Sequence, residues 1–485
     1  MADDVSKLRA KYLQANRYKN FGAVLRSLQV CGFRGISDLT IGFDFPITAI
    51  SGLNGAGKST IGQLAMCGYK KPSTAVDYKR FNVVQFFPVS VADPDPFSAQ
   101  ARAVYTLETN VASAPQEVTV SRAAAASKWS GYKRQPERYC FYIGFTLYIP
   151  KVERRDMSIY GGKTLELKDK RFFSVEAKQK VAHILNQVYE DVHFQGVGHG
   201  DRVSELGIMR RYGKQYSENN MGFGEGRVLH LVSLMEDAPQ QSLFILEEPE
   251  TSLHEEAQYR LIQYLLDVCN RRNHQIIFST HSSVMLEALP QEARLLLYRD
   301  SDGVTSYKGI SSTRARAILS GGEQRALTIC VEDTFARSVL RELIRIEDSH
   351  LIKAVAIEAI GSNDAVREAV KLLQKLNRKA LGVRDGDTGA APSEKLYSLP
   401  GTKPPEKEVF ENPAVLSRLV GEFSLTVEAM QAAANGADHH AIGKRIADLA
   451  EVERAHLEGV AISEYVKHVD PVLRQKLVAD IAKEA

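Results

Sequence analysis

Apolar and polar residues alternate along VLRSLQVCGFRGISDLTIGFDF, residues 24–45, which predicts antiparallel strands with one face in a core. A β-branched run, ITAIS (47–51), follows and predicts a buried strand. Two further continuous apolar runs, SLFILEE (242–248) and QIIFSTHSS (275–283), flank EEAQYRLIQYLLDVCNRR (255–272), whose apolar residues recur at helical spacing. Short runs of this kind separated by a helix predict parallel strands buried on both faces. The pattern restarts near residue 326: strand ALTICVED, helix TFARSVLRELIRI, strand LIKAVAIEAI, helix DAVREAVKLLQKLN, strand KALGVRDGD. Such strict alternation predicts a second α/β domain with a parallel sheet and right-handed crossovers. STRARAILSGGEQ (312–324) reads as a helical link between the two.

The first chemical signal sits at the end of the ITAIS strand. SGLNGAGKST has a phosphate loop's glycine-rich turn between a strand and a helix start. Gly52, Gly55 and Gly57 let the backbone turn its N–H groups toward phosphate oxygens, and the next helix adds its dipole. Lys58 reaches the β and γ phosphates and the Ser59 hydroxyl ligates magnesium. Gly52, Asn54, Gly55, Gly57, Lys58, Ser59 and Thr60 are therefore the expected ATP cradle, with Mg2+ as cofactor. SLFILEEPETSLH ends its strand in consecutive carboxylates, Glu247 and Glu248, at the strand end where an open α/β sheet binds ligands.

Together, "GFRGISDLTIGF" and "ITAISGLNGAGKST" resemble the opening of the RecF, SMC and OLD branch of ABC-type ATPases. The resemblance implies that Glu247 holds magnesium through water, Glu248 polarises the attacking water, and His281, one strand later, senses the γ phosphate. It also suggests Gln85 as a metal-contacting lid glutamine and Arg34 as a neighbour of the nucleotide. In this family a signature loop precedes the paired-acid strand and faces the ATP of a second protomer. LSGGEQ (319–324) follows that strand and is excluded by order. NNMGFGEGRVLHLVSLME (219–236) stands in the right place, with Gly222, Gly224 and Gly226 read as a loop before a helix and Gly224 as its nucleotide contact. A signature supplied in trans implies a homodimer or higher homo-oligomer through the ATPase heads.

In the second domain, Glu332 ends one predicted strand, and Asp385 with Asp387 ends another. Parallel strands present their carboxyl ends at one edge, so these three acids can converge on Mg2+ or Mn2+. A strand-end glutamate followed by a DxD resembles the TOPRIM domain of topoisomerases, primases and OLD (overcoming lysogenisation defect) nucleases, although Asp333 stands where a glycine commonly follows. Glu406 or Glu408 would complete a second metal position. Asp438 before His439 and His440 reads as a helix N-cap, and Lys444 as a possible phosphate contact.

The full pattern resembles the OLD family, which is α/β: an ABC-type ATPase head over residues 1–310 with an insertion at about 90–215, a TOPRIM-like domain over 326–410, and a helical C-terminus over 411–485. The insertion is expected to be the ATPase's second lobe plus added material, a candidate dimerisation arm; its basic runs KVERRD and KDKRFF read as solvated faces. The resemblance implies a nucleotide-regulated, metal-dependent endonuclease acting on nucleic acid, DNA ahead of RNA, in antiphage defence. An ABC-type sensor or scaffold holding a separately encoded effector is the alternative. With 62 Lys and Arg against 59 Asp and Glu, the net charge of +3 neither demands nor excludes nucleic acid. Five scattered cysteines and no long apolar run point to a reducing cytoplasm and no membrane contact.

Overall fold

The structure, a computed structural model, describes residues 2–76, 78–108, 114–122, 128–149, 166–199, 202–301, 303–319, 325–436 and 438–485. The chain forms two compact units that divide between Ile310 and Ser311.

The strands described in the first unit are β1 (Leu25–Phe33), β2 (Ile36–Gly42), β3 (Ile47–Gly52), β4 (Phe97–Leu107), β5 (Gln116–Ser121), β6 (Cys140–Ile143) and β7 (Glu166–Phe172). They continue with β8 (Asp191–His199), β9 (Arg202–Arg211), β10 (Lys214–Ser217), β11 (Leu243–Glu247), β12 (Gln275–Ser279), β13 (Arg294–Asp300) and β14 (Gly303–Lys308). A six-stranded sheet of order β14-β13-β3-β12-β11-β6 forms the centre, parallel except for β14. Every residue of β3 and β12 is buried, as their unbroken apolar runs require. The helix Lys58–Met66 puts Ile61, Leu64 and Ala65 into a core shared with Ile245 and Ile277 on one side and with Leu28, Val30 and Tyr105 of an antiparallel sheet on the other. That second sheet has the order β2-β1-β4-β5, and β1 against β2 is the hairpin the alternation predicts.

The described part of residues 90–215 divides between sheets shared with the rest of the unit and a sheet of its own. Strands β4 and β5 complete the antiparallel sheet, β6 is an edge of the central sheet, and only β7 to β10 make a sheet of their own, order β10-β9-β8-β7. KVERRD lies outside the described residues, whereas KDKRFF falls on β7 and its end.

The second unit holds an all-parallel sheet of order β16-β15-β17-β18, with β15 at Leu327–Val331, β16 at Val355–Ala359, β17 at Ala380–Arg384 and β18 at Leu396–Ser398. LIKA, read as the start of a strand, is instead one helical turn (Leu351–Ala354), and the strand begins at Val355. The helix Asn363–Lys375 covers one face through Val366 and Val370 against Cys330 and Leu396. On the other face, Phe335, Val339, Leu340 and Leu343 of the helix Thr334–Glu347 share one core with Leu419, Leu457, Val466, Leu477 and Ile481. The C-terminal helices are thus half of this unit's core rather than an appendage. The linking helix ends at Leu319 and belongs to the second unit, and the SGGEQ part of LSGGEQ lies outside the described residues. Among the described residues no helix is long and apolar enough to cross a membrane.

Candidate functional site

The phosphate loop leaves β3 at Gly52 and closes on the helix Lys58–Met66, whose N-cap is Gly57 at φ 102°, a left-handed conformation that favours glycine. A Cβ at Gly52 would lie 2.5 Å from the Leu297 carbonyl oxygen, so β13 also demands glycine there. No side chain caps this helix start, which leaves its first N–H groups for an anion. Lys58 is buried and donates from Nζ to the carbonyls of Gly52 (2.8 Å) and Leu53 (3.1 Å). Burial pulls its pKa below the ordinary lysine value, against the pull of Glu248, Glu250 and Glu247. Asn54 and Ser59 are exposed on this loop, and Thr60 is buried behind it.

Glu247 and Glu248 stand where β11 ends, beside β12. Glu248 adopts φ 42°, a conformation unfavourable for a side-chain-bearing residue, held by its N–H donating to the Ser279 carbonyl and hydroxyl, each at 3.2 Å. Its Oε1 lies 3.4 Å from His281 Nε2. Glu250, two residues on, is buried; its Oε1 accepts from the Thr280 hydroxyl at 2.6 Å and from His281 N at 3.0 Å, fixing the backbone that carries the histidine. Arg227 donates to the Glu247 carbonyl at 2.7 Å. The Glu247 Oε1 atom is buried without a hydrogen-bond partner, which suits a cation ligand.

Two expectations need correction. Gly222 is the N-cap of the helix Phe223–Asp237, so Gly224 and Gly226 lie inside its first turn and not in a loop. A Cβ at Gly224 would meet the Ser252 carbonyl oxygen at 2.6 Å, so glycine lets this helix start approach the segment after Glu248. Gln85 is exposed, and its Oε1 accepts from Asn82 N at 2.6 Å, capping the short helix Val83–Phe86. Among the described residues no hydrogen bond joins Gln85 to Glu247 or Glu248. Gln63 does lead toward it: its Nε2 donates to the Tyr142 hydroxyl at 3.4 Å, and that phenol's pKa is raised by burial first and also by the nearby Glu247 carboxylate. Arg34, at φ 44°, donates to Gln63 Oε1 (3.2 Å) and the Phe86 carbonyl (3.0 Å) and stacks on Phe87.

The second unit gathers its acids at one sheet edge. Glu332 follows β15 and Asp385 follows the adjacent β17, and Asp385 N donates to Glu332 Oε1 at 3.3 Å. Asp387 lies exposed two residues on. The Asp385 carboxyl is buried with Oδ1 unpartnered. Burial, with the charges of Glu332, Asp333, Glu406 and Asp387, raises its pKa to about 7. Glu332 is also raised, by burial and by the charges of Asp387 and Asp333. Glu406, 1% exposed, enters from the helix Pro405–Phe410, and its pKa too is raised by burial first. Glu408 is spent elsewhere: its Oε1 accepts from Thr402 N and Lys403 N. Asp438 caps the 3-10 turn His439–Ala441 through His440 N. No hydrogen bond or ion pair involves the Lys444 side chain among the described residues. The carboxylates and the unpartnered Asp385 oxygen fit an oxygen-loving divalent ion.

Comparison with known proteins bears on the first unit. Residues 162–286 match the family described as AAA ATPase domain, and residues 27–74 match the one described as AAA domain. The chain carries an AAA-type ATPase domain. The phosphate loop lies in one matched segment, and Glu247, Glu248 and His281 lie in the other. Solved structures similar to the chain include the SMC head domain from Thermotoga maritima, at 15% identity and TM-score 0.35 over 59% of this chain and 98% of that one. An SMC head bound to the C-winged helix domain of ScpA gives 13% and 0.38 over 59% and 97%. The Pyrococcus furiosus SMC head with an extended coiled coil gives 12% and 0.37 over 59% and 96%. No curated protein matches the chain.

Three partners in the ATPase domain escaped sequence reading: Glu250, Gln63 and Tyr142. Glu250 was visible as the third acid of EEPE, but only the β12 end shows that it anchors His281. Gln63 lies one turn beyond Lys58 on a helix whose pattern reads as ordinary, and its link to Glu247 runs through a strand 79 residues away.

Proposed function

We propose that the chain is an OLD-like, nucleotide-regulated, metal-dependent endonuclease in which the ATPase domain controls a TOPRIM-like cutting centre in the second unit. ATP binds on the Gly52–Thr60 loop, with Mg2+ held by Ser59 and, through water, by Glu247. Glu248, placed beside His281, orients the attacking water, and the helix start at Gly222 to Gly224 faces the γ phosphate of a second copy. A homodimer is therefore the smallest hydrolysing unit, at work in the cytoplasm against invading DNA.

The observation that carries the cutting role is the meeting of Glu332 and Asp385 at the ends of neighbouring parallel strands, with an Asp385 oxygen buried and unpartnered. Burying carboxylates side by side is unfavourable unless a cation joins them. Glu332, Asp385 and Asp387 would hold Mg2+ or Mn2+, which steadies the charge developing on a cleaved phosphodiester and lowers the pKa of bound water. The same unit also offers basic side chains to a substrate. A groove of about 370 Å³ in the same unit is lined by Arg325, Arg337, Arg341, Lys353 and Glu358. Arg337 and Arg341 point no hydrogen bond at any described residue, and they stand one and two turns along the helix that Asp333 caps, within about 12 Å of rise. Spare guanidinium groups in that row suit a phosphate backbone.

The test is cleavage of plasmid DNA by the purified chain with Mg2+ or Mn2+, compared with Glu332→Gln/Asp385→Asn. Loss of cutting in the variant with ATP hydrolysis retained supports the nuclease. A wild-type chain that turns over ATP and never cuts assigns it instead as a sensor or scaffold for a separate effector.

A further inference from the structure

His439 and His440 have no part in the centre just described, yet they stand against it. His440 Nδ1 lies 3.0 Å from Glu406 Oε1 and 3.2 Å from Asp333 Oδ2. One ligand atom from each of Glu406, His439 and His440 falls within 4.8 Å of the others. Metal bonds of about 2.0–2.2 Å put neighbouring ligand atoms roughly 3.0–3.4 Å apart, so His440 Nδ1 already stands at that spacing from one oxygen of each carboxylate.

Two independent features show that the spacing is built in. The Asp333 carboxylate is oriented by its other oxygen, Oδ1, which accepts from Ala336 N at 2.7 Å as the helix cap. Glu406 is 1% exposed, and while one oxygen meets the imidazole the other, Oε2, is buried with no partner. A carboxylate so buried and half satisfied is costly to keep unless it binds something more than one histidine. The two rings lie with centroids 3.9 Å apart, tilted by 43°, and the Asp438 cap fixes the turn that presents them.

We infer that Asp333, Glu406, His439 and His440 form a second cation site in this unit, of mixed nitrogen and oxygen ligands, that takes a first-row transition-metal ion such as Zn2+ or Mn2+ in preference to Mg2+. Imidazole nitrogen favours such ions, whereas the all-oxygen set of Glu332, Asp385 and Asp387 suits Mg2+. The inference relies on the nuclease reading only for the use of the ion, as a partner to the first cation across a scissile phosphate; its binding stands apart.

Equilibrium dialysis of the full chain against Zn2+ in excess Mg2+ tests it, with metal counted by mass spectrometry and ligands read by X-ray absorption at the zinc edge. The expected result is one tightly held Zn2+ per chain with nitrogen ligands. His440→Ala should weaken it at least about 100-fold, beyond the 10–100-fold that loss of a supporting residue brings. Both histidines are partly or fully exposed, so His439→Ala and His440→Ala should fold, which melting without metal checks. Zn2+ should raise the melting temperature of the wild type and not of His440→Ala. Glu332→Gln/Asp385→Asn should keep the Zn2+ even though cleavage is lost, separating this site from the first. Zn2+ held equally well by wild type and His440→Ala, or no Zn2+ held at all, would leave His440 an internal counter-charge for Glu406 and Asp333 and overturn the inference.

Discussion

Both units end parallel strands in carboxylates, but they balance that charge differently. In the ATPase domain, Lys58 is buried within the field of Glu247, Glu248 and Glu250, and Arg227 donates to the Glu247 carbonyl. In the second unit the cluster of Glu332, Asp333, Asp385, Asp387 and Glu406 is met by His440, while the nearby Arg384 donates to Asn363 and to the Gly389 carbonyl. One edge carries its own cation and waits for an anionic ligand. The other is rich in anions, a charge that a cation would offset. Parallel topology therefore fixes where a ligand binds, and the balance of charge at the edge decides its sign.

If that contrast is right, the largest effects come from the groups that set each sign. Lys58→Ala should remove ATP hydrolysis by 100-fold or more, the scale on which losing one charge-stabilising donor slows a reaction. Glu248→Gln should keep ATP bound while hydrolysis falls by a similar factor, read as nucleotide retained after gel filtration. Equal loss of nucleotide binding in both variants would show that Glu248 supports the fold of the site and not the water.

The second edge can be broken by pH. Asp385 holds its proton more tightly in the fold, with a pKa of about 7, than in the unfolded chain, whose ordinary value is 3.8. Protonation thus favours the fold: the contribution is complete below about pH 4 and fades as pH rises through about 7. Without divalent ions, protection of the β15 and β17 amides, taken relative to the intrinsic exchange rate at each pH, should fall between about pH 4 and 7, and Asp385→Asn should flatten that dependence. Mg2+ at 100 times its Kd should restore about 2.7 kcal/mol to the wild type and nothing to the variant. Protection that ignores both pH and metal would mean that the acids are solvated and bind no cation.

How much of this was legible depends on the range of the interactions involved. The phosphate loop, the EEPE strand end and the convergence of Glu332 with Asp385 were readable, because local pattern fixes a strand and parallel pairing fixes which edge its acids share. LIKA failed because four apolar residues fit a helical turn as well as a strand, and the preceding Asp348, which accepts from Leu351 N at 3.0 Å, settles it as a turn. The Gln85 partner was not readable either: its Oε1 accepts from its own Asn82 N. The Asp333, Glu406 and His440 contact was out of reach: it brings together positions 73 and 34 residues apart through the packing of C-terminal helices whose sequence carries no chemical motif.

The smallest predicted effect sharpens the contrast from the substrate's side. If the second edge binds a metal that in turn meets a phosphodiester, the flanking surface must supply positive charge, and Arg337 and Arg341 are where it is spare. Arg337→Ala/Arg341→Ala removes two phosphate contacts without touching the acids. The slope of log affinity against log salt for B-DNA should then fall in magnitude by about 2, at roughly 0.9 per phosphate. Affinity should drop alike for every DNA sequence, because backbone contacts carry no base information. Zn2+ uptake and ATP turnover should stay as in the wild type. An unchanged salt slope would move the nucleic acid off this groove while leaving the metal-binding edge intact, and an unchanged slope with lost cleavage would make the two arginines supports of the helix that Asp333 caps.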